Sequence, residues 1–68
     1  MTPILSALSA RQEAILELLS RDLTHGAIAH HLRVTERTVR RDLWRARRAL
    51  GVGSTAAAVA MYVRERAA

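Results

Sequence analysis

The chain has 68 residues, enough for one small domain. It has no cysteine, which excludes disulfide staples and thiolate metal sites, and no phenylalanine, so the core must be aliphatic around at most Trp44 and Tyr62. A domain of this size buries only ~60% of its unfolded surface and is too small to wall a deep catalytic pocket. Eleven arginines and no lysine stand against six acids, a net charge of +5. All of that excess lies in residues 33–48, where seven arginines meet only Glu36 and Asp42; elsewhere four arginines face four acids. So local an excess points to a polyanionic partner.

The pattern predicts an all-α fold of four short helices, about 10–21, 25–32, 36–50 and 55–66, making one domain over residues 1–68. Residues 1–8, with the one proline, Pro3, read as an extended lead-in. Ser9 with Gln12 three positions on has the capping-box pattern. Ile15, Leu18, Leu19 and the stem of Arg11 then share a helical face, and Glu17 and Arg21 form an i,i+4 pair. Thr24 caps the second helix, whose inward residues are Ile28, Ala29 and Leu32; Gly26 weakens it. Arg33 and Val34 make a tight connection to Thr35, a third cap, with Glu36 in the first turn where the helix dipole favours it. In the third helix Val39, Leu43, Ala46 and Leu50 form a narrow apolar stripe. The opposite face carries Arg37, Arg41, Trp44 and Arg48, flanked by Arg40 and Arg45. Gly51 ends the helix and Ser54 caps the fourth, which is rich in alanine. Val59, Tyr62 and Val63 lie on one side of that last helix and Ala57, Ala60 and Met61 on the other. The longest apolar run, Ala56 to Val63, has eight residues, against the ~20 that span a bilayer. With no targeting pattern at the N-terminus, the expected location is the cytoplasm, in association with the nucleoid.

The arginine face is a stability problem in isolation. Arg37 and Arg41, and Arg41 and Arg45, are like-charge i,i+4 pairs, each unfavourable by a few tenths of a kcal/mol. Only Asp42 and Glu36 are on hand to offset them. A polyanion relieves such repulsion; the alternative reading is a solvated basic face. Two helices joined by a short turn, the second starting at Thr35, have the spacing of a helix-turn-helix, whose second helix enters the major groove of DNA. Its N-terminal half carries Arg37, Arg40, Arg41 and Trp44. Arginine pairs bidentately with guanine. Thr35, Thr38, Arg45 and Arg48 suit backbone phosphates. Trp44 fits either this face, against a sugar or thymine methyl group, or a place partly under the fourth helix.

From Leu8 to about Glu65 the sequence resembles the DNA-binding domain of the LuxR family, also called the GerE or NarL type. The resemblance is carried by Leu8-Ser9-x-Arg11, Ile15-Leu16-x-Leu18-Leu19, Ile28-Ala29-x-x-Leu32, Val34-Thr35-Glu36-x-Thr38-Val39-Arg40, Leu50-Gly51-Val52 and Ala56 to Ala60. It implies four helices, the third reading duplex DNA as part of a bacterial transcriptional regulator. It also implies a fourth helix forming a homodimer contact on an inverted-repeat site. The family's groove-contacting basic residue after Thr-Val falls on Arg40, the next position on Arg41, and a further basic position on Trp44. Asp22 stands where the family usually has glycine, Ala27 where it often has an acid, Asp42 where histidine is common, and Trp44 where Lys or Arg is typical. These departures bear on sequence specificity.

Two other resemblances compete. Thr38 to Leu43 with Arg11 and Ile15 resembles the winged helix-turn-helix of DeoR-type repressors, which needs two strands after the recognition helix where this chain has an alanine-rich helix. Thr38-Val39-Arg40 with Arg45 to Leu50 resembles the fourth region of bacterial sigma factors, implying docking on RNA polymerase. An adaptor that docks on transcription machinery through the same basic face is the alternative function.

Ala57, Ala60, Met61 and Arg64 are the candidate dimer contact, small side chains allowing close helix approach in a two-fold interface. His25, His30 and His31 lack the converging acids or thiolates of a metal site and read as lying on the exposed side of the second helix, where His30 or His25 approaches a phosphate. No nucleophile elbow, carboxylate pair or glycine-rich phosphate loop occurs. The expectation is a protein that is not an enzyme and takes no cofactor.

Overall fold

In the computed structural model, residues 3–67 are described, with side chains from Leu5 onward. The elements are α1 (Pro3–Ser6), α2 (Ala10–Ser20), α3 (His25–Leu32), α4 (Glu36–Leu50) and α5 (Thr55–Ala67), with no strand among the described residues. The four longer helices match the predicted spans to within one residue at each end. The lead-in does not: residues 3–6 form a helical turn rather than an extended segment. Proline suits a first helical position, because its φ is preset and its missing N–H has no partner there anyway. The Leu8 amide donates back to the Leu5 carbonyl at 3.1 Å, and both leucines join the core. Met1 and Thr2, the rest of the predicted lead-in, lie outside the described residues.

Local chemistry sets each helix start. Ser9 Oγ accepts from the Gln12 amide at 3.1 Å while Gln12 Oε1 accepts from the Ser9 amide at 2.9 Å, a complete capping box. Thr24, Thr35 and Ser54 cap α3, α4 and α5 in the same way, each accepting from the amide three residues on. Each such cap contributes about 1 kcal/mol. The ends of α2, α3 and α4 all turn through a left-handed residue, respectively Asp22 (φ 65°), Arg33 (φ 60°) and Gly51 (φ 71°). At each end the following amide reaches back into the last turn: Leu23 to Leu18, Val34 to Ala29, and Val52 to Arg47, at 2.9–3.2 Å. Only Gly51 adopts this conformation without strain from a side chain.

α2 packs against α5 and α4, and α3 packs along α4, so α4 is held from three sides. Ile15, Leu16, Ile28 and Val39 are the largest fully buried side chains, and the Tyr62 ring is the one aromatic member of the buried core. Leu16 joins the buried face of α2 that sequence reading built from Ile15, Leu18 and Leu19; the latter two pack at its margin. α5 is rotated relative to the predicted Val59–Tyr62–Val63 side. Its contact line runs through Ala58 and Tyr62, and Val63 is 46% exposed. The Tyr62 hydroxyl donates to Glu17 Oε1 on α2 at 3.1 Å, which orients α5 and turns Val63 outward. The radius of gyration, 11.0 Å, matches the value of about 11 Å for a single packed domain of this length. No helix among the described residues is long and apolar enough to cross a membrane.

Candidate functional site

The site is built on α4. Val39, Leu43 and Ala46 are buried, with Leu50 packed at the margin of the core, so the predicted apolar stripe fixes the roll of this helix. The opposite face is therefore obliged to point outward. Arg37, Arg40, Arg41, Trp44, Arg45 and Arg48 are all exposed. Trp44, at 51% exposure, is one of two large apolar side chains left in solvent. The Arg48 guanidinium lies over its ring, 5.0 Å from the centroid. Such stacking contributes about 0.5–1 kcal/mol at an exposed site and holds the indole in place on the basic face.

Thr35 and Thr38 meet at the start of α4. The Thr35 hydroxyl accepts from the Thr38 amide and donates to Thr38 Oγ1, both at 3.1 Å. The three-residue connection Arg33–Thr35 joins α3 to α4, as the helix-turn-helix reading requires. The structure thus gathers all eight residues of the predicted α4 site, Thr35, Arg37, Thr38, Arg40, Arg41, Trp44, Arg45 and Arg48, on the outer side and start of one helix. The candidate dimer residues form a separate line on α5. Ala60 and Arg64 are exposed, while Ala57 and Met61 are half-buried.

The two acids of the basic stretch act differently from one another. Glu36 stays on the surface, 3.6 Å from Arg40 in an i,i+4 pair, where an exposed contact is weak. Its carboxylate also lies against α3: a Cβ at Gly26 would sit 3.2 Å from Glu36 Oε2, so the glycine that weakens α3 leaves room for it. Asp42 was expected to offset the arginine face. Instead its side chain is only 4% exposed and pairs with Arg11 Nε, tying α2 to α4. The signal was present in the sequence. Asp42 is three residues after Val39 and four before Ala46, at the edge of the apolar stripe and away from the arginines.

Two residues that sequence reasoning did not weigh for a site, Arg47 and Thr55, meet His25, which it read as lying near phosphate. His25 of α3, Arg40, Leu43 and Arg47 of α4 and Thr55 of α5 line an open hollow of about 190 Å³. Arg47 Nη1 donates to Thr55 Oγ1 at 3.4 Å across it. His25 and Arg47 are half-buried there, whereas His30 and His31 are exposed in the last turn of α3. No sequence pattern marks this hollow, because it arises only where three helices meet.

One comparison with known proteins agrees with this geometry. The family model GerE, described as bacterial regulatory proteins of the luxR family, matches residues 6–62. No curated protein and no solved structure gives a significant match.

Proposed function

The chain belongs to the LuxR family of bacterial regulatory proteins, as a non-enzymatic helix-turn-helix DNA-binding domain, and from that premise we propose how this member binds its duplex. α4 enters the major groove. Arg37, Arg40, Arg41 and Trp44 face base edges, with arginine forks suited to guanine O6 and N7. Thr35, Thr38, Arg45 and Arg48 contact the backbone and fix the register. The observation that carries this reading is the exposed face of α4, which concentrates six arginine and tryptophan side chains with one exposed carboxylate, Glu36, among them. Binding is sequence-specific and takes place in the cytoplasm, at the nucleoid. Two copies associate through Ala57, Ala60, Met61 and Arg64 of α5, with half-sites about one helical turn apart.

Trp44 is the one tryptophan and stands on the proposed contact face, so its fluorescence reports binding directly. Titration with duplex DNA gives a saturable change that weakens steeply with salt, the slope counting the phosphates neutralised. A duplex selected from a random pool binds more tightly than a scrambled one. No fluorescence change together with no mobility shift would refute DNA binding through α4 and favour an acidic protein partner such as the transcription machinery. Ala60→Glu leaves binding to a single half-site intact and weakens binding to the full inverted repeat. Equal effects on both would refute the dimer contact.

A further inference from the structure

We propose that the hollow between α3, α4 and α5 is a seat for one phosphodiester of the DNA backbone, with Arg47 as its principal contact. The proposal rests on the DNA-binding reading above and adds a site on the flank of α4, outside its groove-facing side.

The geometry of α4 assigns the flank. At about 100° per residue, Arg37, Arg41, Trp44 and Arg48 cluster around one direction. Arg40 and Arg47 are rotated from that direction toward α3 and α5, and Arg45 and Thr38 are rotated the opposite way. A helix in the major groove has a phosphate strand rising on each side of it. Arg45 and Thr38 therefore face one strand and Arg47 the other, with Arg40 between Arg47 and the base edges. On the Arg47 side the protein is concave: the hollow of about 190 Å³ opens there, with Leu43 as its apolar floor. That volume holds several waters at ~30 Å³ each, enough for a phosphate group with accompanying solvent.

The chemistry of the lining selects an anion. Two guanidinium groups and an imidazole surround the hollow. Among the described residues Arg47 has no carboxylate within ion-pair distance. Its hydrogen bond runs to the neutral Thr55 hydroxyl, which positions the guanidinium without cancelling its charge. Arg40, on the rim toward the groove, adds positive potential to the hollow while its guanidinium serves the bases. Arginine matches phosphate with two parallel N–H donors. His25, at the first position of α3, lines the same hollow and is half-buried there.

The test uses a duplex selected from a random pool and a scrambled control. Arg47→Gln lowers affinity for both about tenfold, the effect of one hydrogen bond between charged partners. It also reduces the slope of log K against log salt by about 0.9 for each bound copy, the value for one phosphate. Arg66→Gln, at the opposite end of α5 from Thr55, leaves the slope unchanged. Circular dichroism melting separates binding loss from unfolding, and Arg47→Lys recovers most of the slope because the charge returns. The decisive measurement replaces phosphates of the selected duplex one at a time by neutral methylphosphonate. In the wild type one position in each half-site weakens binding and depends on Arg47; in Arg47→Gln that position has no effect while the others keep theirs. Identical scans for the two proteins would overturn the seat while leaving DNA binding by α4 standing. Failure of the wild type to bind any duplex would overturn both.

Discussion

The Arg11–Asp42 pair makes an asymmetric prediction, because its two ends see different amounts of water. Arg11 is 48% exposed and Asp42 only 4%. Arg11→Met strands a carboxylate in the interior, where an unpartnered charged group costs more than a neutral one. The 3–5 kcal/mol typical of breaking a fully buried pair is an upper bound, since water reaches the guanidinium end. A loss of about 2 kcal/mol is the expectation, within the range for a hydrogen bond to a charged group. Asp42→Asn releases Arg11 to solvent and keeps an acceptor for its Nε–H, so it costs about 1 kcal/mol. The double variant sits near the Asp42→Asn single, giving a coupling energy of more than about 1 kcal/mol. Against a total stability of roughly 3–10 kcal/mol for a chain of this size, Arg11→Met is a large perturbation. It lowers the melting temperature by about 10 °C, read by circular dichroism at 222 nm alongside urea unfolding. Equal losses for the two single variants, or strict additivity in the double, would refute the account of a buried carboxylate held by a half-solvated guanidinium.

Other measurements test separate parts of the structure. Arg41→Ala reduces duplex affinity while leaving the helical circular dichroism and melting temperature within error, because the side chain is exposed and forms no ion pair among the described residues; a parallel loss of helicity would refute its place on the contact face. Burial, and then the hydrogen bond to Glu17, raise the Tyr62 phenol above its ordinary value of 10.0. A raised pKa for a group that is neutral below it means the stability it contributes is complete below pH 10 and is lost as pH climbs through the folded value. Phenolate absorbance from this one tyrosine should appear at higher pH in the folded protein than in urea, and coincident titrations would refute the buried contact. Arg33→Gly removes the side-chain clash of a left-handed residue, about 1–2 kcal/mol, against the extra freedom glycine gains when unfolded, about 0.5–1 kcal/mol. It should stabilise the fold by about 0.5 kcal/mol, and any destabilisation would contradict the φ of 60°.

The helices were legible in the sequence because their boundaries are set by local chemistry. Ser9, Thr24, Thr35 and Ser54 announce each start through a side chain that finds an amide three residues away, an interaction that needs no tertiary contact. The outward face of α4 was legible for a related reason: a narrow stripe of Val39, Leu43 and Ala46 leaves only one way to bury it. What escaped depends on partners distant in sequence. Asp42 is inside because Arg11, 31 residues away, meets it there. The roll of α5 is set by Tyr62 reaching Glu17, 45 residues away, and a helix as rich in alanine as this one carries no strong periodicity to fix its roll beforehand. The turn at residues 3–6 forms where Leu5 and Leu8 find the core, which a four-residue segment cannot signal alone.

The same division explains how so small a domain tolerates a crowded basic helix. α4 separates its roles by direction around one axis. The apolar stripe faces the core, Asp42 locks to α2 at one edge, Arg47 reaches Thr55 of α5 at the other, and the remaining arginines project into water. Repulsion between exposed arginines is screened by salt and costs only a few tenths of a kcal/mol per pair, whereas the buried stripe contributes about 1.5–3 kcal/mol for each fully buried large side chain. The fold therefore does not need the charges to be neutralised in order to stand. They remain available for a partner whose phosphates do the neutralising. Substitutions on the outer face should change binding without changing folding, while those at Asp42 or Val39 change folding first and binding only as a consequence.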